Sequence, residues 1–133
     1  MNIVEHTKPV VATIATPRYF HYSQNNSGGS FDIDENVAHH VIIQATSASH
    51  ADSIARGVGI YFDGCETGQD CSCCGDRWYS ARGDDGTDAP LLYGEDPANY
   101  DDKFFSKPGE PVCHVYYLDG SKTTYRAPEG EKK

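Results

Sequence analysis

The stretch Val41-Ile42-Ile43-Gln44-Ala45-Thr46-Ser47-Ala48-Ser49-His50-Ala51-Asp52-Ser53-Ile54-Ala55-Arg56-Gly57-Val58-Gly59-Ile60-Tyr61-Phe62 carries two different periods in succession. Its start, Val41-Ile42-Ile43, is a run of β-branched apolar residues of the kind that fills a buried strand. From Ala48 onward the apolar positions Ala48, Ala51, Ile54, Ala55 and Val58 recur at spacings of three and four, which predicts a helix. Thr46 or Ser47 supplies the capping oxygen, Arg56 falls in the last turn, and Gly57 is the expected stop. Ile60-Tyr61-Phe62 then reads as a second short strand. Strand, helix and strand in this order favour a right-handed crossover that puts both strands in one sheet. By analogy with larger α/β folds, the loop leaving the second strand is where a site is expected.

Outward from this unit the chain reads as β structure and loops. Val10 to Ala15 and Tyr19 to Ser23 are strand-like runs separated by Pro17, which cannot donate to a ladder. Asn25 to Ser30 has turn composition, and Phe31 and Ile33 alternate with Asp32 and Asp34 as in a strand returning antiparallel. Beside Val41, His39 and His40 would face opposite sides of a strand, which leaves at most one of them for the core. Trp78 to Ala81 is expected to be a strand, and Arg82 to Asp102 a surface excursion rich in Gly, Pro and Asp. Val112 to Leu118 and Ser121 to Tyr125 flank Asp119-Gly120, the signature of a hairpin with a type I′ turn. The expectation is a single α+β domain over residues 1–126, with a small, mainly antiparallel sheet, one short helix on one face and a cysteine-rich loop. Residues 127–133 read as a polar, frayed tail.

The chain has 133 residues, which suits one domain, and a formal net charge of −9. That charge argues against a surface that binds nucleic acid through phosphate contacts. It leaves open a basic protein partner. No apolar run approaches the roughly 20 residues that span a bilayer. The first residues show no basic n-region leading into a long apolar core, so an intracellular setting with reduced or metallated thiols is expected.

The candidate site is Asp70-Cys71-Ser72-Cys73-Cys74-Gly75-Asp76-Arg77-Trp78-Tyr79, which holds three of the five cysteines and the single tryptophan. Cys71 and Cys74 have C-x-x-C spacing followed by Gly75. On a tight turn that spacing aims two sulfurs at one metal ion, at about 2.3 Å for zinc. The glycine takes positive φ without steric cost, and backbone N–H groups turn toward the thiolates. Structural zinc takes four ligands, so Cys71 and Cys74 need partners. Cys65 and Cys73 come first, with Cys113, His114, His39, His40 and His50 behind them. A disulfide between the neighbours Cys73 and Cys74 is disfavoured, because consecutive Cα atoms lie about 3.8 Å apart and disulfides usually span about 4.4 Å or more. Asp76 and Arg77 are candidate binding residues or pins for the loop. Trp78 is a candidate binding anchor, or a lid over the knuckle.

Other chemistries have thinner support. A redox C-x-x-C belongs at a helix N-terminus, whereas Arg77-Trp78-Tyr79 reads as strand. Cysteine and histidine pairs arise by chance in a chain with five cysteines and six histidines. The acidic excursion lacks calcium-loop spacing.

The C-x-x-C-G segment resembles a zinc-ribbon knuckle. The stretch Val41 to Tyr79, above all its C-x-C-C-G-D-R-W string, resembles a family of small uncharacterised proteins of tailed bacteriophages. That resemblance implies expression in the host cytoplasm and brings no reaction or substrate with it. With no complete catalytic constellation, the leading expectation is a phage accessory protein that binds a host or defence component without catalysis, stabilised by zinc. The alternatives are a small metal-dependent enzyme with an open zinc position, and a minor virion component.

Overall fold

In the computed structural model, residues 16–25, 31–83, 85–100 and 107–128 are described. The strand expected at Val10 to Ala15, most of the turn before Phe31, and residues 129–133 lie outside them. Four strands form one sheet in the order β1 (Arg18–Ser23), β2 (His40–Ala45), β3 (Pro111–Tyr116), β4 (Lys122–Arg126). β1 and β2 pair antiparallel, β2 and β3 parallel, and β3 and β4 antiparallel. With helix α1 (Ala48–Val58) on one face, the molecule is a small, mostly antiparallel α+β fold.

β2 is covered on both faces, which is why its sequence is continuously apolar rather than alternating. Val41, Ile43 and Ala45 pack with Phe20 and Tyr22 of β1, with Ala51 and Ala55 of α1, and with Ile60 and Trp78. On the opposite face Ile42 packs with Cys113 and Val115 of β3 and with Leu92 from the long excursion. The register follows this division: Ile42 lies opposite His21 on one side and Val115 on the other.

α1 starts at Ser47, whose hydroxyl accepts the His50 N–H at 3.1 Å. It runs through Gly57, the expected stop, and ends at Gly59, whose φ of 113° is the left-handed conformation that terminates the helix. Gly57 keeps helical geometry, so its position is permissive rather than required.

Three expected strands are irregular. Residues 31–39 do not return along β1, because the Asp34 carboxylate takes the N–H groups of Asn36 and Val37 and forms a turn where a ladder would need those donors. β2 takes that place beside β1. Ile60-Tyr61-Phe62 is not a strand: the Ile60 N–H bonds back to Ala55 in the helix, and the chain turns again at Asp63 with φ 60°. The parallel neighbour of β2 is therefore β3, about seventy residues further on. Trp78 to Ala81 joins no sheet among the described residues, and the Ala81 N–H is taken by the Asp52 side chain.

The β3–β4 hairpin forms as expected, with a different turn. Gly120 N–H donates to Tyr117 C=O, Tyr117 N–H donates to Ser121 C=O, and within Leu118-Asp119-Gly120 only Gly120 has positive φ, at 92°. This is a three-residue loop with a type I turn and a glycine bulge, not the two-residue type I′ form. Past β4 the chain stays tied as far as Ala127, which exchanges hydrogen bonds with Gly109 and Glu110.

Candidate metal centre

The cysteine loop leaves a short helix, α2 (Gly64–Thr67), and ends at Trp78. Residues Cys71 to Cys74 form one turn closed by Cys74 N–H to Cys71 C=O at 3.1 Å, with Gly75 after it at φ 87°. That turn brings the sulfurs of Cys71, Cys73 and Cys74 within 4.8 Å of one another, all on exposed residues. Cys73 and Cys74 sulfurs are 3.6 Å apart. Two thiolates at about 2.3 Å from a tetrahedral ion would stand about 3.8 Å apart, so this spacing fits one metal with little adjustment.

The electrostatics follow from the turn. Thiols and backbone N–H groups of Cys73 and Cys74 are directed at Cys71 and hold its thiol below the usual range. Cys73, crowded by the thiols of Cys71 and Cys74, is pushed up to about 11. The turn thus eases loss of the thiol proton at Cys71 and opposes loss of the one at Cys73. A metal ion would replace those protons, because it binds thiolates and relieves their mutual repulsion.

Cys65, on α2, stands beside the cluster rather than in it. Its thiol donates to Cys71 C=O at 3.5 Å, and its backbone N–H donates to the Asp76 carboxylate at 2.9 Å. Partial burial and the Asp76 side chain push its thiol up. The other candidate ligands go elsewhere. Cys113 is buried in the second core, and burial raises its thiol to about 12. His114 bonds Thr124 and the Asp34 carbonyl on the other face of β3, and His50 bonds Thr46 at the start of α1. His39 and His40 are both buried, with stacked rings 4.0 Å apart, contrary to the expected in-and-out pair. The bend at residue 39, before β2 begins, removes the alternation.

Beneath the loop is a polar frame whose hub is Arg77. Its guanidinium reaches Gln24 Oε1 at 2.8 Å, Tyr61 Oη at 3.2 Å, Asp32 at 3.3 Å and Asp70 at 3.7 Å. The Asp70 side chain is fully shielded and accepts Tyr61 O–H at 2.6 Å and Arg77 N–H at 2.8 Å. Asn25 holds the far side, donating its amide to the carbonyls of Cys74 and Asp76. Arg77 and Trp78 are buried, so these two candidate binding residues face inward and support the loop, and Asp76 anchors α2 to it. The outward residues here include the three cysteines and Tyr79, which is 60% exposed. Gln24 and Asn25, just past β1, and Tyr61, just past α1, carry no signature in the sequence, since only the tertiary fold brings them to the loop.

The fold and the thiol turn define a small α+β protein with a cysteine-based candidate metal centre. The chain belongs to the family described as Domain of unknown function (DUF7296), whose model matches residues 17–133. Neither the curated proteins nor the solved structures contain a match to it.

Proposed function

We propose that the protein is a zinc-stabilised interaction protein, with Cys71, Cys73 and Cys74 as ligands and Cys65 as the fourth. The reading is carried by the three sulfurs gathered within 4.8 Å on a single turn whose backbone N–H groups favour thiolate at Cys71. Cys65 reaches the metal by giving up its bond to the Cys71 carbonyl, a contact weak enough at 3.5 Å to be exchanged for a zinc–thiolate bond. Bound zinc would lock the loop and present Tyr79 and the turn as a rigid surface. The partner in this reading is a host or defence protein in the cytoplasm of a phage-infected bacterium, and the role is binding without catalysis. The acidic surface favours a basic partner.

A second reading keeps Cys65 on the carbonyl and leaves water at the fourth position, which would make the centre a metal-dependent enzyme. Its support is the place of Cys65 outside the three-sulfur group. Metal content of Cys65→Ser separates the two. Under the interaction reading this variant loses zinc affinity at least about tenfold, because one ligand of four is gone. Unchanged affinity would favour the open position. A minor virion component would instead be found in purified particles.

A further inference from the structure

On the sheet face away from α1, β1 carries Tyr19 and His21, and residues 85–95 cross over them. Tyr19 and Thr87 exchange both backbone hydrogen bonds at 2.9 Å, which clips this segment to the edge of the sheet. Between sheet and segment lies a cleft of about 360 Å³ lined by Tyr19, His21, Ile42, Asp85, Thr87 and Tyr93. Behind it His21 Nε2 and His40 Nδ1 share a hydrogen bond of 2.9 Å, and His40 Nε2 is buried with no hydrogen-bond partner among the described residues. Tyr93 closes one side. It is 66% exposed and held at φ 52°, a left-handed conformation that a bulky residue adopts only under constraint.

We propose that this cleft binds a small primary ammonium ion carrying an apolar or aromatic group. Three features select that chemistry. First, Asp85 is among the residues lining the cleft, and no Lys or Arg is. Second, both histidines are neutral at pH 7, so His21 offers a lone pair or an N–H rather than a charge. His40 decides which. An N–H on its buried Nε2 lies among the π systems of Tyr93 and Tyr100, at ring separations of 5.7 and 5.0 Å, whereas a lone pair there meets no donor. With that proton on His40 Nε2, His21 donates to His40 and its own Nδ1 is left as an acceptor. Third, the tyrosines and Ile42 supply apolar and aromatic walls, which favour a cation with an attached hydrocarbon group over a small hydrated ion. The net charge of −9 draws cations to the surface as a whole.

The site shares no residue with the cysteine centre, so the two readings stand or fall separately. The test is titration of the full chain with benzylammonium, followed through the ring protons of His21 by NMR, with benzyl alcohol and benzoate as isosteric controls. Saturable shifts with the amine alone are expected, weakened about fivefold in Asp85→Asn and unchanged in Cys71→Ser. Asp85 is exposed, and its carboxylate accepts the Arg82 N–H, a bond that the asparagine oxygen can also accept, so the variant folds. Equal binding of benzyl alcohol, no saturable shift with the amine, or an Asp85→Asn variant that binds as the parent does would overturn the proposal.

Discussion

The Asp70 carboxylate accepts the backbone N–H of Arg77 at 2.8 Å and faces the guanidinium of the same residue at 3.7 Å, with its side chain fully shielded. One carboxylate thus fixes both the path and the side chain of the residue that closes the cysteine loop. Arg77 is a strut of the loop, and the candidate metal centre is built on it.

Replacing Arg77 with Ala should therefore act on stability and on the thiols together. The substitution takes the guanidinium away from the buried Asp70 carboxylate, which keeps only the Tyr61 O–H and the backbone N–H of residue 77, and removes one of the donors to Gln24 Oε1. Loss of one member of such a pair costs about 3–5 kcal/mol. Urea denaturation should show that loss, and thiol titration should show Cys71 less reactive near pH 7. A variant as stable as the parent would contradict the role of Arg77 as a strut.

Two glycines separate steric need from helix propensity. A Cβ at Gly64 would lie 1.9 Å from Asp70 Oδ2 and 2.8 Å from Tyr61, so Gly64→Ala must displace the carboxylate that holds Arg77. A Cβ at Gly57 meets nothing within 4 Å, and the backbone there is helical. Gly57→Ala should raise stability by about 0.5–1 kcal/mol, because alanine loses less backbone entropy in a helix. Gly64→Ala should lower it by about 2 kcal/mol or more. Thermal melting of the two variants checks both signs.

Acid should weaken the fold before most carboxylates titrate. Burial, with a smaller contribution from His39, pulls His21 from 6.5 down to about 4, and burial pulls His40 to about 2. The unfolded chain takes up protons as pH falls through about 6.5, where the folded one does not. Stability from these groups is thus fully present above pH 6.5 and is lost as pH falls toward 4, by a few kcal/mol for a shift of His21's size. Urea midpoints at pH 7.5, 6 and 5 should fall in that order, and His21→Gln should flatten the trend. A flat profile in the parent would contradict the buried neutral pair.

The legible parts of the fold are those written locally. Ser47 as cap, the period of α1, the apolar run of β2 and the Asp119-Gly120 hairpin are each decided by neighbours in the chain. The parallel pairing of β2 with β3 is not, because about seventy residues intervene and Ile60-Tyr61-Phe62 offers a nearer apolar segment. Its fate is decided by Ile60 packing under α1 and by the turn at Asp63. At the site, the C-x-x-C-G spacing foretells the turn, and Cys73 falls into it for the same reason. The frame of Gln24, Asn25, Tyr61 and Asp70 is set by tertiary contact, and so is the His21–His40 pair.

Elemental analysis of purified, tag-free protein, with thiols counted before and after chelation, decides whether the cysteine turn holds zinc. About one zinc per chain is expected in the parent, with free thiols appearing on chelation and with both metal and thermal stability lost in Cys71→Ser and Cys74→Ser. A metal-free protein whose exposed thiols titrate freely, and whose melting is unchanged by added zinc, would contradict zinc binding by the turn.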